Sequence, residues 1–222
     1  MLFRSLEEEN VVHSKGKIES EKILIKDVFK KWFCIPEYQR PYVWGNDEIY
    51  YLLDDLCFAM KEKSDSEYFL GTFVFQSKPA DPGRGLKYPE NDLLDGQQRM
   101  TTLLLLMAVI RDLTIIPNVK NKCQEYIFQQ EDPIERLPER VRLTFMIRPE
   151  VESFVNQYIK IEGGTNDEDI LQKLAKKSPD VSVRNMANAV LKIRGYFQEN
   201  SLDVKPANLL PFLANNVLMI YV

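Results

Sequence analysis

The longest unbroken apolar run in the chain, Leu103-Leu104-Leu105-Leu106-Met107-Ala108-Val109-Ile110, lies inside a helix-forming segment from Gln97 to about Asp112. It is far too short to cross a bilayer, which takes about 20 residues. A helix that is apolar on nearly every side has no face to offer water, so other elements must enclose it. The fold is therefore predicted to be built around a buried helix. Enclosure also fixes the first turn of that helix, and a rigid first turn is what a binding site requires.

That first turn carries Asp95-Gly96-Gln97-Gln98-Arg99, led in by the strand-like Leu93-Leu94. Glycine allows a tight turn and an unshielded amide, and Asp95 has the side chain of a good N-cap. The amides that follow point out of a helix N-terminus, where anions bind readily. Gln97 and Gln98 add neutral donors and acceptors, and Arg99 adds a planar cationic fork suited to phosphate oxygens. An ordinary reading competes with this one: Asp95 caps the helix and pairs with Arg99 at i,i+4. Thr101 and Thr102, one turn in, offer hydroxyls to a metal or a phosphate, although helix-interior threonine more commonly bonds its own backbone.

A second cluster lies upstream, in Pro36-Glu37-Tyr38-Gln39-Arg40-Pro41-Tyr42-Val43-Trp44. Pro41 biases Arg40 toward extended backbone. A proline-bracketed loop that presents Gln39 and Arg40 is expected to contact phosphate. Tyr38, Tyr42 and Trp44 are expected to support the loop as packing mass. Between the two clusters, Tyr68-Phe69-Leu70-Gly71-Thr72-Phe73-Val74-Phe75 reads as a strand. Its internal Gly71 implies a bulge, or the close approach of a backbone or a ligand.

Composition narrows the classes. The chain has 222 residues, a net charge of −4, 45% apolar and 28% charged residues, ordinary values for a globular protein. The acidic balance argues against coating nucleic acid through bulk charge. Cys34, Cys57 and Cys123 are odd in number and form no Cys-x-x-Cys pair, which suits a reducing cytosol and predicts no zinc site. No pattern for haem or flavin is present, nor a signal peptide, and the protein is expected to be cytoplasmic and free of the membrane. The single histidine, His13, sits among polar residues, so a histidine triad, a histidine-ligated metal and a histidine nuclease centre are all disfavoured. No Walker pattern occurs, which excludes a P-loop ATPase.

Elsewhere the periodicity predicts strands at Ile23–Ile25 and Trp32–Ile35, a helical turn at Asp27–Lys31, and a helix opening at Asn46 with Asp54 and Asp55 in solvent. Lys78 to Glu90, with Arg84 and Lys87, reads as an exposed loop. After Pro117 the pattern predicts a helix at Asn118–Gln130, an alternating strand at Val141–Ile147, helices at Glu150–Ile161, Asn166–Lys177, Ser182–Asn200 and Pro206–Asn215, and a last strand at Val217–Val222. The expected class is α+β: an extension over 1–20, a mixed core over 21–115, and a mainly helical lobe over 116–222. The bare apolar end at Val222 suggests a fragment, and a longer chain is expected to be more soluble and more stable.

Ile35 to Trp44 together with Leu94 to Leu103, with Phe69-Leu70-Gly71-Thr72 between them, resemble the N-terminal domain of GmrSD-type restriction endonucleases. The resemblance is strong over about residues 23–112 and looser beyond. It implies a small mixed-sheet core like the ParB and sulfiredoxin fold, in which an arginine motif at a helix start binds nucleotide. It further implies a module of bacterial anti-phage defence that binds and hydrolyses a nucleoside triphosphate. Such a module accompanies a nuclease domain or subunit, here outside this chain, and acts on modified foreign DNA. Members of the family tend to continue past the last strand found here.

On that reading Arg40 and Arg99 hold phosphate oxygens from two sides and the Gly96 and Gln97 amides cradle the same group. Gln97 or Gln98 orients the attacking water, and Gln39, Gly71, Thr101 and Thr102 lie around the nucleotide. Asp95 positions that water or holds magnesium through water, magnesium being the ion that oxygen ligands favour. The alternatives are a non-enzymatic DNA-sensing or protein-interaction module using the same arginines, and a redox enzyme relying on Cys34. Assembly of several copies is left open.

Overall fold

In the computed structural model, which describes residues 20–62, 64–80, 88–200 and 203–221, the apolar run becomes helix α3, Gln97–Leu113. No residue from Met100 to Ile110 is more than 1% exposed. Around α3 are packed α4 (Pro117–Ile127), α7 (Val181–Glu199) and α8 (Pro206–Asn215). Among the described residues no helix is long and apolar enough to cross a membrane.

The remaining surface of the core is a six-stranded mixed sheet in the order β1-β8-β3-β4-β2-β7. Its strands are β1 (Glu21–Leu24), β2 (Phe33–Ile35), β3 (Tyr68–Lys78), β4 (Glu90–Asp95), β7 (Leu143–Phe145) and β8 (Val217–Tyr221). β2 runs parallel to β4 and β7, while β3 is antiparallel to β4 and parallel to β8. On the face toward the helices Phe33, Phe73 and Phe75 meet ring to ring at 5.5–5.9 Å. Segments 21–115 and 116–222 thus share one sheet and one core. β8 is threaded between β1 and β3, and β7 extends the sheet beyond β2.

Local sequence accounts for most elements. α1 is a single turn, Ile25–Val28, and begins where the predicted first strand was to end. α2, Asn46–Glu62, buries Ile49, Leu52, Leu53 and Leu56 and leaves Asp54 and Asp55 exposed. The run Val141–Ile147, expected as one strand, is split. Arg142 donates its amide to the Ile127 carbonyl at 2.9 Å and accepts from the Phe33 amide at 2.9 Å. The chain therefore leaves the two-stranded sheet of β5 (Phe128–Gln129) and β6 (Arg140–Val141) and joins the large sheet at one residue. The expected helix after Pro149 is α5, Pro149–Phe154, continued by a π-helical turn over Val155–Ile159 and a 3₁₀ turn at Gly164–Asn166 before α6, Glu168–Lys177. His13, Arg84 and Lys87 lie outside the described residues.

A buried ion pair locks these turns to the core. Arg111, at the end of α3, donates to the carbonyls of Ile159 and Ile161, and its neighbour Asp112 accepts from the amides of Gly163 and Thr165 and from the Thr165 hydroxyl. The two side chains are 1% and 0% exposed. Burial pushes the Asp112 carboxyl up, but the Arg111 guanidinium and the Gly163 and Thr165 donors outweigh it, and the group lies below its ordinary 3.8. Asp112→Ala should cost about 3 kcal/mol or more at neutral pH, because it strands a buried guanidinium. A carboxyl with a depressed folded-state pKa contributes stability above its unfolded value and loses it as pH falls through the folded value. The deficit of Asp112→Asn relative to the parent, read by chemical denaturation, should therefore shrink as pH drops below 3.8.

Candidate functional site

β4 ends at Asp95, and the chain turns into α3 through Gly96 at φ 85°. A Cβ at Gly96 would lie 2.7 Å from the Cβ of Phe73, so both the backbone angle and the contact with β3 demand glycine. Asp95 does not act as the side-chain cap expected of it. The capping position is Gly96, and Asp95 Oδ1 accepts from the Gly96 amide itself at 2.8 Å. That bond withdraws the Gly96 amide from the predicted phosphate cradle. The first helical bond of α3 runs from Met100 N to Gly96 O at 3.0 Å, so the amides of Gln97, Gln98 and Arg99 are the ones left at the helix start.

The two glutamines have a task that the sequence did not reveal. Gln98 Oε1 accepts from the Val43 amide at 2.8 Å, and its Nε2 donates to the Pro41 carbonyl at 3.0 Å. Gln97 Nε2 donates to the Arg40 carbonyl at 3.1 Å, and Gln39 Nε2 donates back to the Leu94 carbonyl at 2.8 Å. Both carboxamide ends of Gln98 bond the loop backbone, so the side chain positions the loop against α3. The far side of the loop is held by residues not anticipated. Arg148 donates to the Gln39 carbonyl, the Tyr42 amide donates to Ser182 Oγ at 3.0 Å, and Asn185 Nδ2 donates to the Tyr42 carbonyl at 2.9 Å. Ser182 and Asn185 lie one turn apart at the start of α7, and polar residues at that spacing were the signal available for finding them.

Arg99 lies over Gly71, where β3 carries a bulge and φ is 132°. A Cβ there would come within 2.9 Å of the guanidinium carbon, so what approaches the glycine is Arg99 itself. Arg99 Nη1 donates to the Thr72 carbonyl at 3.1 Å, and no ion pair joins it to Asp95. Arg40 is exposed on its clamped loop. These parts enclose one cavity of ≈ 480 Å³ lined by Gln39, Arg40, Trp44, Asp95, Gly96, Gln97, Gln98, Arg99 and Thr72. Two arginines and the start of α3 line it together with a single acidic residue, Asp95, in a chain whose net charge is −4.

Several expected members lie elsewhere. Thr101 and Thr102 are 1% and 0% exposed and do not line the cavity. Thr102 donates to the Gln98 carbonyl at 2.9 Å and bonds the Tyr42 hydroxyl at 2.8 Å, so it packs the loop against the helix and is not a phosphate ligand. Tyr42 supports the loop from within, 3% exposed, its phenol pushed up by burial. Tyr38, expected beside it, is 71% exposed and anchors nothing. Cys34 is 4% exposed and its thiol is pushed up by burial, which makes it a poor nucleophile for a redox site. Replacing Gln98 by Ala leaves the Val43 amide and the Pro41 carbonyl without partners. It should cost about 1–3 kcal/mol and speed hydrogen exchange at Val43 well beyond that at Leu105, measured amide by amide.

A family model described as the N-terminal domain of GmrSD restriction endonuclease matches residues 21–222. A search of curated proteins finds no match. The matched span begins at β1 and takes in α3, both arginine segments and the strands of the second half, leaving out only the first residues of the chain. The chain belongs to the family of GmrSD restriction endonuclease N-terminal domains and is, by that membership, a component of a restriction system.

Proposed function

We propose that the cavity binds the phosphates of a nucleoside triphosphate and hydrolyses it, and that this step controls a nuclease domain or subunit outside the chain in cytoplasmic anti-phage restriction of modified DNA. One observation carries the reading: Arg40 and Arg99, far apart in sequence, line the same ≈ 480 Å³ cavity at the start of an enclosed helix. Charged, bidentate donors of this type suit phosphate oxygens, and the Gln97 and Gln98 amides add the positive end of the α3 dipole. Trp44, half-buried in the wall, is an aromatic ring of the kind on which a base stacks.

The residues present fit magnesium. Asp95 is an exposed carboxylate at the cavity with one oxygen committed to the Gly96 amide, and one carboxylate plus substrate phosphate oxygens is a usual way of holding this ion. Bound there, magnesium would neutralise phosphate charge. Arg40 and Arg99 clamp the phosphates, Asp95 orients the water or the ion, and Gln97, Gln98 and Gln39 keep the two arginines in register. The competing reading, in which the arginines grip DNA phosphates without turnover, draws on Tyr38, whose ring stands 71% exposed near Arg40 and is free to stack on a base.

Calorimetry with each nucleoside triphosphate and magnesium, paired with phosphate release with and without DNA, separates the two. Arg99→Ala and Arg40→Ala should each weaken nucleotide binding about 10- to 100-fold, the loss of one charge-assisted hydrogen-bonding group, with the circular dichroism spectrum unchanged. Unaltered affinity in folded Arg99→Ala would remove the proposal. DNA binding with a steep salt dependence and no phosphate release would favour the second reading.

A further inference from the structure

Away from the arginine cavity, on the sheet face turned from α3, strand register creates a cluster that no sequence spacing shows. β2 and β4 pair with Cys34 opposite Asp92, Gln76 lies opposite Asp92 on β3, and Thr144 lies opposite Cys34 on β7. Glu90, two residues before Asp92, shares that face. The Cys34 sulfur and one oxygen from each of Glu90 and Asp92 all lie within 4.8 Å of one another.

Each carboxylate gives one oxygen to a cationic side chain and keeps one. Lys78 pairs with Asp92 Oδ2 and Arg140 with Glu90 Oε2. Asp92 Oδ1 is buried without any hydrogen-bond partner, on a side chain only 9% exposed. A buried, unpaired carboxylate oxygen is costly unless something outside the chain satisfies it. The indole N–H of Trp32, two residues before Cys34, is likewise buried and unpartnered, and Arg140 stacks on that ring at 5.5 Å. One member of the cluster thus keeps a buried acceptor without a partner.

We infer that Cys34, Asp92 and Glu90 form a binding site for a divalent transition cation, with zinc the best match to one sulfur and two oxygen donors. Lys78 and Arg140 then serve as outer partners that orient the two carboxylates, the arrangement that metal-ligating carboxylates usually have. Zinc–ligand bonds are about 2.0–2.3 Å, so the donors need to draw in by about 1 Å at most. Binding forms a Zn–S bond in place of the S–H bond, and the thiol proton leaves to solvent. The fourth position would go to water. The site ties β2 to β4, the strands that lead into the two arginine segments, but it does not depend on the nucleotide reading.

The test uses the purified chain with cobalt(II), then zinc. One equivalent of cobalt should give a near-ultraviolet thiolate charge-transfer band, and X-ray absorption of the zinc form should show one sulfur among oxygen or nitrogen neighbours. Losing an outer partner alone costs about 10–100-fold in affinity. Cys34→Ser and Asp92→Asn should therefore weaken zinc by at least that much, and Cys34→Ser should abolish the cobalt band. Absence of the band, or a zinc shell without sulfur, in the folded parent overturns the inference whether or not the variants fold. Zinc affinity unchanged in both folded variants overturns it as well.

Discussion

Hydrogen bonds from carboxamide side chains to backbone hold the arginine loop to the start of α3, and the site depends on them. Arg40 sits on a short loop between two prolines, and nothing in that loop would keep it at the same cavity as Arg99. The Gln97, Gln98 and Gln39 side chains supply the missing constraint by bonding carbonyls and an amide across the gap. A backbone partner is satisfied whatever side chain it carries, so the clamp fixes the loop's path and leaves Arg40 free to face the cavity. The adjacent glutamines therefore read as architecture that serves chemistry, and the charged groups beside them as the chemistry.

The clamp works because the helix beneath it cannot move. α3 is enclosed along its length, and at its far end the Arg111–Asp112 pair stitches it to the turns after α5. At its near end Gly96 brings the chain against Phe73 with no side chain in the way. The same economy recurs at Gly71, where the absent Cβ is filled by the Arg99 guanidinium. Two glycines thus set the depth and the direction of one arginine.

The second half of the chain contributes more than bulk. Its last strand lies inside the sheet between β1 and β3, its strand β7 borders β2, and α7 holds the arginine loop through Ser182 and Asn185 and the start of α2 through Asn188. A change in how α7 packs would be felt along the Gln39–Tyr42 segment, which gives a restriction component a physical route between the arginine cavity and whatever α7 and its neighbours meet.

Much of this was legible in one dimension. A helix apolar on all sides must be buried, a glycine before it must turn, and paired arginine segments in that order mark the family; these follow from local chemistry and from pattern. The sequence also placed α3, α7 and α8 nearly to the residue. What it could not supply is who bonds to whom across long separations. That Gln98 holds Val43, that Thr102 faces Tyr42 and not a ligand, that Arg142 divides one expected strand into two, and that Cys34 stands beside Asp92 all follow from strand register and helix packing. Those are decided by burial of the whole core at once, and no local spacing encodes them.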